Sequence, residues 1–312
     1  MLRTVFMGTP GFAASSLAKL LEKGKTPVAV VCQPPRAVGR GLKTQPSEVQ
    51  QLAEKSGLTV LPVENVNAPE VLAQLRDLKP DLILVAAFGQ LLKKELLELP
   101  PLGCLNVHGS LLPKYRGAAP IQRAILNGEK ETGVAVQRIV RKLDAGDILL
   151  TRRLPILPQD TSGTLFDRLA ELGADALVEA VEMVESGRTQ FTPQDEAQAT
   201  HAAKLTKEEA VIDWSLPAEQ IERQVRGYQP WPVAETRLGN DRLKIFGAEL
   251  LPKAPAGKPG TITSDGKTFV HVACGGAAGI ALTQIQLENR KKLETREFLM
   301  AYRGAFPFTH LG

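Results

Sequence analysis

Near its start the chain reads Val5-Phe6-Met7-Gly8-Thr9-Pro10-Gly11, and from Ala13 to Lys23 its apolar residues recur at helical spacing. Adjacent apolar residues that stop at a turn of glycine and proline are typical of a short buried strand. Pro10 suits a position near the first turn of a helix, so the segment predicts a strand, a tight turn and a helix. The turn lacks both GxGxxG and GxxxxGK, and we interpret it as a structural connection, while a role of its backbone beside a ligand stays open.

Similar short apolar runs alternate with helical stretches through the first half of the chain. Because strands that alternate with helices build βαβ units, this pattern predicts a parallel sheet wrapped by helices. Residues 134–140 and 148–156 add two later strands, and residues 165–186 predict a long closing helix. The predicted strands are Val28 to Val31, Leu82 to Ala87 and Leu105 to Val107, and the predicted helices between them are Val49 to Lys55 and Val71 to Leu78. We therefore predict one α/β domain over residues 1–188.

The second half of the chain has a different pattern. Residues 189–206 mix Thr, Gln, Pro and Ala without a sustained period, which predicts an extended linker. In residues 207–312 short apolar runs are broken by Gly, Pro and Asp, a pattern typical of a small β barrel. The predicted strands of this second domain are Ala234 to Leu238, Leu243 to Ala248, Thr268 to Ala273 and Ala281 to Ile285.

The composition excludes several classes of protein. The chain has 312 residues, of which 43% are hydrophobic and 23% charged, as is ordinary for a folded protein of two domains. The longest apolar run, Leu82 to Phe88, is far shorter than the roughly 20 residues of a membrane helix, so we expect no membrane span and a cytoplasmic protein. Cys32, Cys104 and Cys274 are too scattered to indicate a disulfide framework or a cysteine zinc site, and a net charge of +4 permits contact with nucleic acid.

A polar pair lies at the end of one predicted strand. In Asn106-Val107-His108 the alternation of a strand places the Asn and His side chains on the same face. Ligands of open α/β sheets bind outside the carboxyl ends of the strands, and this pair lies at such an end. A His beside a polar residue is structural as often as catalytic, but the loop that follows, Gly109 to Gly117, is too unusual in composition for a routine connector. The context favours a functional site.

This segment, together with Leu143-Asp144-Ala145-Gly146-Asp147 further on, resembles the signature of the folate-dependent formyltransferases. The resemblance implies a Rossmann-like N-terminal domain followed by a small OB-like β barrel. It assigns catalysis to Asn106, His108 and Asp144, and not to the nearby carboxylate of Asp147. It also implies 10-formyltetrahydrofolate as co-substrate and no metal. The residues that it assigns to folate binding are Ser110, Leu111, Leu112 and Pro113.

The chemistry of formyl transfer explains this set of residue types. An amine that attacks a formyl carbon produces a tetrahedral oxyanion, which the amide of Asn106 and a protonated His108 can stabilise as hydrogen-bond donors. Asp144 can orient His108 and help to take the proton that the amine loses. No covalent intermediate on the protein is required, and loss of one such donor is expected to cost on the order of 10²–10³ in rate.

The resemblance also implies the acceptor of the formyl group. It extends over nearly the whole chain and includes Gly8-Thr9-Pro10, Arg116 to Gln122, Asp160 to Leu165 and Lys207 to Ser215. In the family members with these segments, the acceptor is the free amino group of initiator methionyl-tRNA. The relative that formylates glycinamide ribonucleotide ends after the catalytic domain, whereas this chain continues for about a hundred residues.

A basic segment after the second predicted strand fits a tRNA acceptor. Gln33 to Lys43 carries Arg36, Arg40 and Lys43 without a carboxylate, which suits contact with phosphates beside an unpaired end. The alternative is a solvated surface loop. Cations of residues 207–312 are further candidates for contact with the tRNA backbone, although a charge run is usually just solvated. We expect the protein to be a monomer.

Two other functions remain open from the sequence. A folate-dependent formyltransferase or deformylase that acts on a nucleotide sugar or a small amine would share the catalytic residues, but the basic segment and Lys207 to Ser215 argue against it. A non-enzymatic RNA-binding protein with a β barrel would leave Asn106, His108 and Asp144 as coincidences. Formylation of the charged tRNA separates these alternatives.

Overall fold

The computed structural model describes residues 2–38, 43–302 and 306–312. The chain packs as two compact units, each built from three stretches of sequence. The first unit consists of Met1–Pro120, Glu131–Pro155 and Phe166–Ala202. The second consists of Ile121–Lys130, Ile156–Leu165 and Ala203–Gly312.

The strands and helices follow one another in a regular alternation until about the middle of the chain, after which strands dominate. The elements up to the middle are β1 (Thr4–Gly8), α1 (Gly11–Glu22), β2 (Ala29–Cys32), β3 (Arg36–Val38), β4 (Lys43–Gln45), α2 (Glu48–Lys55), β5 (Val60–Pro62), α3 (Pro69–Asp77), β6 (Leu82–Ala86), α4 (Lys94–Leu97), β7 (Cys104–His108), β8 (Arg116–Gly117), α5 (Pro120–Leu126), β9 (Glu131–Arg138), β10 (Ile148–Pro155) and α6 (Ser162–Glu185). The later elements are β11 (His201–Ala202), α7 (Ala218–Gly227), β12 (Glu235–Leu238), β13 (Asp241–Leu251), β14 (Ile262–Ser264), β15 (Val270–Ala273), β16 (Gly279–Leu287), β17 (Leu293–Glu294) and α8 (Thr295–Met300).

The first unit contains a seven-stranded sheet in the order β10-β9-β7-β6-β1-β2-β5. The strands from β7 to β5 are parallel, which confirms the predicted α/β fold. At the other edge β9 runs antiparallel to β7, and β10 antiparallel to β9. The expectation of a parallel sheet therefore holds for five strands, and the two strands predicted after residue 130 form an antiparallel edge.

The strands of this sheet are apolar because both faces are covered. Every residue of β1 and of β6 is buried, as continuous apolar runs in parallel sheets normally are. The turn after β1 is tight, since a Cβ on Gly8 would lie 2.5 Å from the Ala13 Cβ and 2.9 Å from the Ala86 carbonyl oxygen. Close packing of helix α1 on the sheet thus explains the glycine of this turn.

The order of the strands creates a crevice at one edge of the sheet. From β1 the chain proceeds outward to β2 and β5, then returns to the other side of β1 to form β6 and β7. Ligands of open α/β sheets bind where the strand order reverses in this way, outside the carboxyl ends. Thr9, Phe88 and His108 lie at the carboxyl ends of β1, β6 and β7, and the Thr9 hydroxyl lies 3.4 Å from the Phe88 carbonyl oxygen.

The second unit contains an antiparallel sheet in the order β12-β13-β16-β15-β14, with β17 paired to β16. This curled sheet confirms the predicted small C-terminal β domain of OB-like type. Its inner side chains come from alternate positions, such as Leu243 and Ile245 of β13, which are buried. Helix α7 packs against β13 and buries Ile221 and Val225.

The three cysteines, Cys32, Cys104 and Cys274, are buried free thiols. Burial raises the pKa of the Cys104 thiol to about 12, which keeps it protonated and unreactive at neutral pH. In the part of the chain that the structure describes, no helix combines the length and the apolar character needed to cross a bilayer. The same residues contain no group of three or more His, Cys, Asp or Glu side chains placed to hold a metal ion.

Candidate active site

The end of β7 presents Asn106 and His108 on one face of the sheet. Val107, between them, faces helix α6, since its Cγ1 would lie 3.0 Å from a Cβ on Gly173. Alternation therefore directs the two polar side chains away from α6. In the neighbouring antiparallel strand β9, Gln137 is the register partner of Asn106 and shares that face. The predicted pair is thus extended by a third polar side chain.

The imidazole of His108 is buried, and one of its nitrogens is bonded to the backbone. Nε2 lies 2.8 Å from the Tyr115 carbonyl oxygen. A carbonyl oxygen only accepts, so Nε2 carries a hydrogen there. Nδ1 lies 3.7 Å from Oδ2 of Asp144, which is beyond hydrogen-bond distance but within the distance of an ion pair when the imidazole is protonated. Nδ1 is therefore the nitrogen available to a reacting group.

Tyr115 holds its carbonyl toward His108 in an unusual backbone conformation. Its φ of 60° lies in the left-handed region, which a bulky residue enters at a cost of roughly 1–2 kcal/mol. The Tyr115 N–H donates to the Thr200 hydroxyl over 2.8 Å, which helps to maintain this conformation. Strain of this kind persists only where surrounding contacts fix the chain, and here it orients the imidazole of His108.

The carboxylate of Asp144 is fixed from two sides. Oδ2 accepts a hydrogen bond of 2.9 Å from the Gly117 N–H, and Oδ1 accepts one of 3.0 Å from the Gln137 side-chain amide. The side chain is 12% exposed, and the residue has a φ of 49°, a conformation that Asp tolerates better than most residues. Asp144 therefore reaches the site from a tight loop, with its position set by two N–H donors.

The segment Ser110 to Pro113 leads away from His108 and is anchored within the first unit. Ser110 is fully buried, and its hydroxyl donates to the Lys114 carbonyl oxygen over 2.7 Å. Leu112 is also buried, while Leu111 and Pro113 are partly exposed. The serine hydroxyl thus stabilises the loop, and the other three residues present apolar and backbone groups.

A further part of the site comes from the segment predicted as a linker, and we call Thr192–Ala202 the connector. Thr192 and Ile148 exchange two backbone hydrogen bonds of 2.8 and 2.9 Å. At its other end β11 pairs in parallel with β8, next to the Gly117 N–H that binds Asp144. The connector therefore belongs to the first unit and borders the loop that carries Asp144.

Arg116 links the connector to the site. Its guanidinium is buried and donates to the side chains of Gln194 and Glu196. Glu196 also forms an ion pair with Lys142, which lies two residues before Asp144. Hydrogen bonds from Arg116 and then from Lys142 lower the pKa of the Glu196 carboxyl to about 2. The carboxylate stays charged through the physiological range and keeps this contact in place.

The two ends of the basic segment pair with each other as the strands of a hairpin. Strands β3 and β4 pair antiparallel, with Arg36 opposite Gln45, and Lys43 lies in β4. Arg40 lies outside the described residues. The exposed Arg36 guanidinium donates to the side chain of Gln33, whose amide in turn donates to the Phe88 carbonyl oxygen over 2.7 Å. The base of the hairpin is thereby tied to the carboxyl end of β6.

A cleft of about 440 Å³ lies beside this hairpin, lined by residues 33–36, Glu64, Gly89 and Gln90. Gln90 fixes one wall, since its amide accepts from the Val66 N–H over 2.8 Å and donates to the Val63 carbonyl over 3.0 Å. The residues that line the cleft follow β2, β5 and β6, so the cleft lies outside the carboxyl ends of these strands, near the point where the strand order reverses.

Sequence reasoning missed four contributors to the site. Gln137 could have been found once the register of β9 against β7 was known. Tyr115 and Gly117 act through backbone groups, which no side-chain pattern reveals. Gln194 lies in a segment without periodicity, far along the chain from His108. None of these positions carries a local signal of its own.

Comparison with known families identifies both halves of the chain. Residues 2–181 match the formyl transferase family, and residues 204–303 match the formyl transferase C-terminal domain. A solved structure, HypX from Aquifex aeolicus in complex with tetrahydrofolic acid, shares the fold with a TM-score of 0.62 at 21% identity. The alignment covers 96% of this chain and 47% of HypX, so the chain spans about half of that protein.

Curated relatives extend the match over the full length. The methionyl-tRNA formyltransferase of Geobacter metallireducens is 44% identical over 302 residues, which cover 97% of this chain and 96% of the relative. That of Pseudomonas syringae pv. tomato is 46% identical over 305 residues, with coverage of 98% and 96%. The chain therefore belongs to the formyl transferase family, and specifically to its methionyl-tRNA formyltransferase branch.

Proposed function

We propose that this protein transfers the formyl group of 10-formyltetrahydrofolate to the free amino group of initiator methionyl-tRNA, for use in translation initiation. One observation carries the proposal: the Asp144 carboxylate is fixed 3.7 Å from Nδ1 of His108. His108 lies at the end of β7, the strand that also presents Asn106. A proton acceptor, an imidazole and an amide donor at one crevice are the groups that acyl transfer to an amine requires. The full-length similarity to methionyl-tRNA formyltransferases supports tRNA as the acceptor.

The reaction forms one bond and breaks one. The amine nitrogen bonds to the formyl carbon, the bond between that carbon and the carrier nitrogen breaks, and the proton lost by the amine ends on the carrier nitrogen. In this step His108 is protonated on both ring nitrogens, so Asn106 and Nδ1–H of His108 donate hydrogen bonds to the oxyanion, while Asp144 takes the proton from the amine and passes it on. Because Nε2 donates to the Tyr115 carbonyl oxygen, this bond to the backbone sets the direction in which Nδ1 of His108 points.

Folate binding is proposed at Ser110, Leu111, Leu112 and Pro113, together with nearby apolar side chains. Val140 and Leu143, exposed by 40% and 48%, belong to the loop that carries Asp144, and Leu91, exposed by 70%, directly follows Gln90 of the cleft beside the hairpin. Exposed apolar side chains beside a site mark a surface that a ligand covers. An aromatic ring system with a few polar edges fits such walls, with the backbone of the loop supplying polar contacts.

A direct assay tests the proposed function. The full-length protein is incubated with methionyl initiator tRNA and 10-formyltetrahydrofolate, and the amino acid is released and analysed for N-formylmethionine. Product on the methionine is expected. Product only on an amino sugar or small amine offered in parallel, or formate released without an acceptor, would contradict the proposal. Because charged tRNA is the acceptor, we place the reaction in the cytoplasm, and we propose a monomer as the active form.

We propose that Arg36, Arg40 and Lys43 contact the acceptor end of the tRNA. Arg40→Ala is expected to lower turnover with tRNA while leaving folate binding unchanged, and to reduce the salt slope by about one unit if the guanidinium neutralises one phosphate. Arg40→Lys separates charge from shape, because lysine replaces a point charge but not a planar fork. Kinetics at several salt concentrations measure both effects.

Arg76→Ala is the matched control for this experiment. Arg76 is an exposed arginine in the last turn of α3, and its removal changes the net charge by the same amount. We expect wild-type kinetics from this variant. Equal kinetics for Arg40→Ala and the wild-type protein at every salt concentration would remove the basic segment from the tRNA site and leave the catalytic residues unaffected.

We propose a catalytic domain over residues 1–188, a linker over 189–206 and a tRNA-binding domain over 207–312. Limited trypsin digestion is expected to cut first after Arg188 or Lys204, which flank the bonded connector and are both exposed. Cuts at exposed chain segments precede cuts inside packed helices and strands. Mass spectrometry identifies the fragments, and a first cut within residues 207–312 would contradict this division.

A further inference from the structure

Gln194 of the connector makes more contacts with the Asp144 loop than a linker residue requires. Its side-chain amide nitrogen lies 2.9 Å from the Asp144 carbonyl oxygen and 2.7 Å from that of Gly146. The same nitrogen lies 3.1 Å from the side-chain oxygen of Gln137. Three acceptors around one amide group are a dense set for a partly exposed side chain. Gln194 thus connects the backbone of Asp144 and Gly146 to the side chain of Gln137 in β9.

The orientation of this amide is determined by its neighbours. Arg116 donates to the side-chain oxygen of Gln194 through Nε at 3.0 Å and Nη2 at 2.8 Å. A guanidinium has no acceptor, so the oxygen of Gln194 must face Arg116 and its NH₂ must face the site. The amide of Gln137 then has one possible orientation as well. Its oxygen accepts from Gln194, and its NH₂ donates to Asp144 over 3.0 Å.

We propose that Gln194 is a positioning residue for formyl transfer: through Gln137 and the backbone of the Asp144 loop, it holds the Asp144 carboxylate against His108. The proposal rests on the proposed function in one respect, namely that Asp144 takes the proton of the amine. We call the chain of hydrogen bonds from Arg116 through Gln194 and Gln137 to Asp144 the relay, and its donors all point in one direction. Each link has a donor facing an acceptor, so reversal of either amide would place two donors or two acceptors in contact.

The relay matters because part of the Asp144 loop is exposed to solvent. The neighbouring Leu143 and Val140 are exposed, and Asp144 has a strained backbone. Loss of the Gln194 amide removes three restraints at once and frees the carboxylate to move relative to Nδ1. Misplacement of a catalytic group by about 1 Å can cost up to 100-fold in rate. We expect a loss of about tenfold, since the Gly117 N–H still binds Oδ2.

Two substitutions in the full-length protein test this role. Gln194→Glu keeps the acceptor for Arg116 but removes the NH₂ that faces the site, and Gln194→Ala removes both. The control is Gln198→Ala, an exposed glutamine of the same connector whose amide donates only locally, to Asp195 over 2.8 Å. Steady-state kinetics with methionyl-tRNA and 10-formyltetrahydrofolate are expected to show kcat lowered about tenfold in both Gln194 variants. KM for either substrate should stay at the wild-type value, and the control should match the wild-type protein.

A double variant tests whether Gln194 acts through Gln137. If it does, the combined Gln194→Ala and Gln137→Ala substitutions cost less than the product of the two single effects. Independent, multiplicative effects would overturn the relay. A raised KM for tRNA with an unchanged kcat would also overturn it and indicate direct contact with the substrate.

Hydrogen exchange separates failure of this inference from failure of the proposed function. Faster exchange in Gln194→Ala is expected at the amides of residues 138–148, whichever substrate the enzyme uses. If the wild-type protein formylates no methionyl-tRNA while exchange rises as expected, the function is wrong and the restraint on the loop stands. If exchange and kcat both remain at wild-type values while Asp144→Ala is inactive, the function stands and the positioning role is overturned.

Discussion

Replacement of Asp144 by Asn is expected to lower kcat for formyl transfer by about 10²–10⁴-fold, because the proposed proton acceptor is lost. Asn preserves the size of the side chain but not its hydrogen bonding. Both oxygens of Asp144 accept from N–H groups, of Gly117 and of Gln137, so an Asn NH₂ must face one of these donors. We therefore also expect a loss of stability of roughly 1 kcal/mol. Single-turnover kinetics and thermal unfolding measure the two effects.

The matched control is Asp147→Asn, the same substitution three residues further on. Asp147 is exposed, and its contact with β9 uses the backbone carbonyl, which accepts from the Arg138 N–H over 2.9 Å. Wild-type kinetics are expected from this variant. Asn106→Ala and His108→Ala should each reduce the rate by about 10²–10³-fold with the fold intact. Full activity in any one of the three site variants would remove that residue from the mechanism.

The second large effect is expected from Gly146→Ala. A Cβ at this position would lie 1.7 Å from the carbonyl oxygen of Arg138, a backbone atom at the end of β9. The loop must move by about 1 Å or more to relieve the contact, and displacement of that size can cost about 100-fold in kcat. A loss of stability of about 1–3 kcal/mol should accompany it. Kinetics and thermal unfolding of the purified variant give both numbers.

Gly163→Ala serves as the control for this glycine. It lies in the first turn of α6, and the nearest atoms to its Cβ would be 3.5 and 3.6 Å away, at ordinary contact distance. A helical alanine is more favourable than glycine, so equal or slightly higher stability is expected, with unchanged kcat. If Gly146→Ala matched this control in rate, the position of the Asp144 loop would not limit catalysis.

The sequence was informative wherever a side chain follows a periodic pattern. Alternation at Asn106-Val107-His108 predicted a shared face, and the packing of Val107 against Gly173 agrees with it. The choice of Asp144 over Asp147 came from resemblance, because nothing in the local composition distinguishes two carboxylates three residues apart. The direction of β9 and β10 was not predictable, since alternation is the same in parallel and antiparallel strands.

Other features depend on contacts between distant parts of the chain. Residues 121–130 and 156–165 pack in the second unit although both precede the predicted boundary, and no composition shift marks them. Helix α7 is short and mostly polar on one side, which left it unpredicted before its apolar residues were seen against β13. The strained backbone of Tyr115 and the amide orientation of Gln194 follow from partners 85 and 78 residues away.

The connector has a consequence for how the enzyme matures during its synthesis. Asn106, His108 and Asp144 all leave the ribosome before Gln194 and Thr200, which complete their surroundings. A nascent chain that ends near residue 188 therefore carries all three proposed catalytic residues without the contacts that orient His108 and Asp144. Domains generally fold as units in the order of synthesis, and here the first unit is complete only when Ala202 has emerged. Any gene fusion that exchanges the second half of the chain must accordingly place its junction after this residue.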